Sequence, residues 1–149
     1  MHLDPRRPRA KHSAEWLETT LTEAKARALG ARKPVLVHFF RESNAWCYRY
    51  GFYTFPDRQV DALLRRFVLV RIDVDKDPEH SFRELGGGSL PALLPLSPNG
   101  RPIEFRLRTR DAQGKVGDLG PKKEHMVTGW QRPQELITNL QRILAASGE

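Results

Sequence analysis

The chain has 149 residues, 39% of them hydrophobic, with a formal net charge of +7 and one cysteine. This length carries one globular domain whose core needs no disulfide staples, and one cysteine excludes an internal disulfide and any multi-cysteine zinc site. Charge or proline interrupts every hydrophobic stretch before the roughly 18 residues of a membrane-spanning helix, and the five histidines show no ligand spacing, so no membrane span, metal or other cofactor is expected.

Residues 1–12, a Pro/Arg tail with nothing to bury, are expected to be flexible, with a single domain over 13–149. The tail is basic but leads into an amphipathic pattern and not an apolar run, so it does not read as a secretory signal, and the cytoplasm is the expected location. Ser13 suits an N-cap, and Leu17, Leu21, Ala24 and Ala28 recur at helical spacing as far as Gly30, which predicts an N-terminal helix. Trp16 is expected to anchor its apolar edge.

Val35–Phe40 reads as a buried strand. A polar turn, 41–44, hands over to a helix-like segment opened by Trp46 and Cys47, so the lone thiol sits near a helix N-terminus, where the dipole favours a thiolate. Asn44 is in its simplest role an N-cap, Cys47 a small buried hydrophobe, and His38 a hydrogen-bonded core residue. Aromatic residues crowd 48–55, and Pro56 breaks the helix. Val60, Leu63, Leu64 and Phe67 then form a helical stripe before a second strand, 67–72.

Asp77 and Pro78 predict the cap and first residue of a short helix that Gly86, Gly87 and Gly88 end. The triple glycine lacks the lysine and serine of a phosphate loop and reads as a connector. Ala92–Leu96 is a third strand despite Pro95. Past the Pro98–Gly100 turn, Ile103, Phe105 and Leu107 alternate with charged residues as a hairpin partner, with Arg106, Arg108 and Arg110 on a solvent face. Residues 107–128 read as a polar loop insertion, and Leu136, Ile137, Leu140, Ile143 and Leu144 give a terminal helix an apolar face. The order predicts an α/β domain with a mixed central sheet flanked by helices.

Lys33-Pro34, the strand to Phe40, Trp46-Cys47, Phe55-Pro56-Asp57 with Val60, Leu63-Leu64, 67–73, Leu90-Pro91 and Asn99-Gly100 together resemble a thioredoxin-like family. The resemblance covers about 14–107 and the last helix. It implies a thioredoxin-like fold with an extra N-terminal helix, and a cis-proline at Pro91 opposite the active site. Aligned from Lys33-Pro34, the family's Cys-x-x-Cys falls on 44–47, so Asn44 replaces the nucleophilic cysteine and Cys47 keeps the resolving position. His38 occupies a strand position where many thioredoxins carry a buried acid. A second register would make Cys47 the nucleophile and Tyr50 the lost partner. Both leave one thiol, and neither permits a self-resolving dithiol cycle.

The expected function is therefore a redox-inactive protein-binding or assembly module using Asn44, Trp46, Leu90 and Pro91, and not an enzyme. One alternative is a monothiol thiol–disulfide oxidoreductase in which Cys47 is catalytic and an external thiol resolves. Another is a basic adaptor for an acidic partner or nucleic acid, although no aromatic residues interleave with the arginines as in a single-strand platform.

Overall fold

The computed structural model describes residues 14–148; the tail 1–12 and the Ser13 cap lie outside the described residues. In chain order the elements are α1 (Leu21–Ala31), β1 (Val35–Phe40) and α2 (Ala45–Arg49), which runs on into a π-helical turn (Tyr50–Thr54). They continue as α3 (Arg58–Leu64), β2 (Val68–Asp73), α4 (Ser81–Glu84), β3 (Ala92–Leu96), β4 (Arg108–Arg110), β5 (Val116–Asp118), β6 (Val127–Thr128) and α5 (Pro133–Ala146).

The main sheet has the order β2-β1-β3-β6. β1 pairs parallel with β2 and antiparallel with β3, and β3 takes β6 antiparallel on its far side. Because β1 is central, both its faces are covered, which is why its sequence is a continuous apolar run. Leu36 and Leu93 join Tyr50, Leu136, Leu140 and Ile143 in one core. Val35, Val37 and Phe39 face the other way, onto Ala24 and Ala28 of α1. Each fully buried Leu or Ile of α5 contributes about 1.5–3 kcal/mol of transfer free energy, so this helix is fixed by its stripe. This is the mixed, helix-flanked architecture that the sequence resemblance implies.

The structure differs from the sequence reading at several places. Leu17 is not in a helix. It forms a parallel bridge to Val70, with its N–H on the Leu69 carbonyl and its carbonyl taking the Arg71 N–H, both at 2.8 Å. The helix starts only after Thr20, whose hydroxyl accepts from the Glu23 N–H, and it ends at Arg32 in the left-handed region instead of at Gly30. Residues 14–20 thus cover the free edge of β2, a common protection for an exposed strand.

Asp77 does cap, accepting from the N–H groups of Glu79 and Ser81, but α4 begins four residues later at Ser81. Gly87 is more than a connector, since a Cβ there would overlap the Phe82 ring. Ile103, Phe105 and Leu107 are buried and alternate with exposed Glu104 and Arg106 as expected. Pairing to β3 stops at one Leu96–Pro102 bridge, because Pro95 and Pro102 have no N–H to give.

The polar insertion is ordered: β4 and β5 form a hairpin, and β6 closes the sheet. Asn139 of α5 fastens it. Its Oδ1 accepts from the Arg108 N–H, and its Nδ2 donates to the Arg108 carbonyl and to Gln131 Oε1, all at 2.8 Å. The three arginines are likewise drawn in. Arg110 meets buried Glu135 at 2.7 Å, while Arg106 and Arg108 lie 3.4 and 3.6 Å from Asp118, which Arg142 also holds at 2.9 Å. The Arg142 hydrogen bond and the surrounding cations keep the Asp118 carboxyl below its usual range. Asp118 thus faces three guanidinium groups and Glu135 one, so the expected basic face is partly paired and keeps a net positive charge.

Asn139→Ala leaves the Arg108 N–H and the Gln131 Oε1 without their partners. With unmet buried groups costing about 1–3 kcal/mol each, the variant should lose about 3 kcal/mol, read as a lower urea midpoint at unchanged slope.

Candidate binding site

The site grows from the end of β1. After Phe40 the chain turns through 41–44, and Asn44 stops the turn by accepting the Trp46 N–H on its Oδ1 at 2.9 Å. The expected N-cap role is therefore met, and it fills one of the unsatisfied donors at the start of α2. Two residues on, Trp46 is 53% exposed, while Cys47 turns inward and is 1% exposed. Burial pushes the Cys47 thiol up. A hydrogen bond with the Arg41 backbone and the Arg41 charge offset this in part, and Asp73 adds to it. A thiol held protonated in the interior is a poor nucleophile.

The Leu90–Pro91 peptide bond is cis, as the resemblance implies. The Phe39–Ala92 register puts it at the end of the sheet from which the 41–44 turn departs. The Pro91 ring is buried, and its carbonyl accepts the Gly129 N–H at 2.7 Å. Leu90 packs instead against the core on the α1 side.

Trp130, just past the 107–128 insertion, joins Trp46 at this surface. The indole centroids are 6.3 Å apart, and the Arg49 guanidinium lies over both, at 4.2 Å from Trp46 and 5.4 Å from Trp130. Trp130 is held by its Nε1–H on Thr54 Oγ1 at 2.9 Å, and Thr54 in turn donates to the Gln131 carbonyl at 2.7 Å. The Tyr50 hydroxyl donates to the Gly129 carbonyl and accepts the Gln131 N–H. Only Gly129 followed by Trp130 hinted at this in the sequence; Gly129 has φ +81, which glycine adopts without penalty.

Beneath the site, His38 is 3% exposed and ringed by Trp16, Phe40, Tyr50 and Phe55, with centroids 5.5–5.8 Å away. It is a core residue as expected, but neither ring nitrogen has a hydrogen-bond partner among the described residues, nor does Trp16 Nε1. The aromatic cage offers edges and faces, not acceptors. Trp16 itself stacks on Phe55 at 4.8 Å, serving the core and not a helix edge.

A cavity of about 480 Å³ opens between the 18–20 segment and the ends of β1 and β2. Its cations are already engaged: Arg71 pairs with Glu18 and lies over Phe40, and Lys76 pairs with Glu42. Among the described residues no three His, Cys, Asp or Glu side chains are grouped to hold a metal, and no helix is long and apolar enough to cross a membrane.

A family model described as thioredoxin-like matches residues 15–98. No curated protein sequence matches the chain. Among solved structures, a thioredoxin from Thermus thermophilus is similar at 22% identity and a TM-score of 0.63, over 91% of each chain. The oxidised C-terminal domain of DsbD from Neisseria meningitidis is similar at 17% identity and a TM-score of 0.59, over 85% of this chain and 98% of that one. At these identities the structural likeness shows the fold.

Burial, and secondarily the Arg71 charge, lowers the His38 pKa from 6.5 to about 3. The unfolded chain therefore binds a proton on this ring that the folded chain refuses. The resulting stability is fully present above 6.5 and is lost as pH falls through the window down to about 3. Between about pH 7.5 and about pH 5 the wild type should lose about 2 kcal/mol from this group. His38→Phe should flatten that part of the profile, read by urea unfolding at each pH.

Proposed function

The chain belongs to the thioredoxin-like family, and we propose that within it this protein is a redox-inactive protein-binding or assembly module. Its contact face is formed around Asn44, Trp46 and the Leu90–Pro91 loop, with Trp130 added. The observation that carries this reading is the state of the α2 N-terminus. The position aligned with a nucleophilic thiol holds a carboxamide engaged in capping, and the one thiol three residues on is buried with its pKa raised. A carboxamide cannot attack a disulfide, and a single thiol cannot resolve its own mixed disulfide. What remains available to a partner at this surface is an exposed indole beside a fixed one, the kind of aromatic anchor around which contact energy concentrates.

A chain with one unpaired thiol suits a reducing compartment, and a cytoplasmic location is part of the same proposal. The nucleic-acid reading has less support, because the arginines of β4 are paired to Asp118 and Glu135.

Thiol chemistry and peptide binding both test the proposal. Wild-type protein should give no insulin reduction with a dithiol-recycling system, and Cys47 should react with a neutral alkylating agent only slowly until the chain is unfolded. Asn44→Cys should form an internal disulfide with Cys47, since Cα atoms about 5.5 Å apart are what the bond needs and this spacing at a helix start supplies, and it should gain reductase activity. Tyr50→Cys should do neither. Peptides selected from a random display library on the wild-type protein should lose at least about tenfold in affinity on Trp46→Ala. Rapid alkylation of native Cys47 with glutathione-dependent turnover would replace the module with a monothiol enzyme.

A further inference from the structure

We propose that the Trp46–Trp130 face selects acidic protein segments, with Arg49 as the residue that reads their carboxylates. This rests on the binding-module reading and names its partner class. The starting point is how Arg49 is held. Its guanidinium lies over Trp46 at 4.2 Å and 5.4 Å from the Trp130 centroid, and because the two centroids are only 6.3 Å apart the indoles shield adjoining sides of the cation and leave the rest of it to solvent. The N–H groups on that open side are free for the fork that matches a carboxylate with two parallel hydrogen bonds. The mount is firm on one side, because Trp130 is tied to Thr54 and Thr54 to the Gln131 carbonyl. Arg49 therefore loses little freedom when a partner binds, which is the condition under which a surface charge contributes to affinity.

The charges nearby leave this cation uncompensated. Among the described residues no carboxylate is paired with Arg49. Three acids of the adjoining segments are held by other bases, Glu42 by Lys76, Asp75 by Arg41 and Glu135 by Arg110, and Asp73 accepts the Asp75 N–H. Gln131 turns inward, and Arg132, two residues along the chain from Trp130, is exposed and also without a carboxylate partner among the described residues. The result is an exposed indole under one unneutralised guanidinium, with a second such cation close by in the chain. Its complement is a segment carrying an apolar side chain for Trp46 and a carboxylate for Arg49, with Arg132 as a secondary contact. Like charge on the partner would be repelled at the same place, so the face discriminates as well as attracts. A polynucleotide fits less well, since it needs a longer run of cations and successive stacking platforms, and the arginines of β4 that could extend the track are occupied.

The test uses the full chain and three matched sets of synthetic peptides that share one leucine or phenylalanine anchor and differ in their flanks, Asp/Glu, Ser/Gln or Lys. The acidic set should bind at least about tenfold tighter than the neutral set, with the lysine set weakest, and added salt should erode the difference. Arg49→Gln should make acidic and neutral sets equal, and Arg49→Glu should invert the order; both variants should keep the wild-type far-ultraviolet circular dichroism, with a melting temperature lowered only slightly by the lost contact to the indoles, and Arg132→Gln should give a smaller loss in the same direction.

If neutral and acidic peptides bind equally, and Trp46→Ala removes both, the acidic preference is overturned while the binding module stands. If no set binds through Trp46, both fall. If oligothymidylate binds more tightly than the acidic peptides, and does so through Arg49 and Trp46, the face belongs to nucleic acid and the proposal is overturned.

Discussion

The segment Gly129–Gln131 runs from the half-buried Gly129 and Trp130 into the buried Gln131, and backbone taken out of water must find partners inside the protein. The partners come from the far corners of the chain. Tyr50 and Thr54 supply hydroxyls from the π-helical turn, Pro91 supplies a carbonyl from the loop before β3, and Arg108 and Asn139 close around the Gln131 side chain from β4 and α5. In this wide turn the Phe55 N–H reaches the Tyr50 carbonyl at 2.7 Å, and Tyr50 and Thr54 both address the same segment. Burial holds the Tyr50 phenol well above its ordinary pKa, so it stays a donor at any pH the protein tolerates. One satisfied knot thus sets the relative positions of the turn, the proline loop, the hairpin and the last helix. The surface carrying Trp46, Arg49 and Trp130 is its outer side.

How much of this was legible in the sequence depends on how local each signal was. β1, β2, β3 and α5 could be read because their apolar runs and stripes are continuous. The N-terminal helix was read too long because Leu17 falls in phase with Leu21, Ala24 and Ala28, although Leu17 belongs to an edge pairing with Val70 that no local pattern encodes. β4, β5 and β6 are three, three and two residues long and carry no periodicity to detect, so partners distant in sequence define them. Asn44, Trp46 and Pro91 were legible as pieces of one family motif. Trp130 and the stacking of Arg49 were not, because the 91–129 contact that brings them in exists only once the sheet is closed.

His38 shows the other side of that limit. Its position on β1 and its burial could be expected, but not that both ring nitrogens would lack partners. A neutral imidazole accepts this in an aromatic cage because ring edges and faces give it favourable contacts, at the cost of refusing a proton the unfolded chain accepts. Where the family pattern places an acid, this chain has a group that stays uncharged in the folded state. That is in keeping with a thiol nearby on α2 which is itself held protonated.

With one sulfhydryl, shut inside the helix it belongs to, the protein has no disulfide-linked conformer to alternate with. A dithiol surface changes its covalent state with the ambient reduction potential, and whatever docks there can be gained or released as the glutathione poise moves. Here the proposed docking face has no thiol pair, and its covalent structure does not follow the poise. A complex formed on it would persist through oxidative stress and recovery alike, so any control over that complex has to come from concentration, ionic strength or the partner's own chemistry.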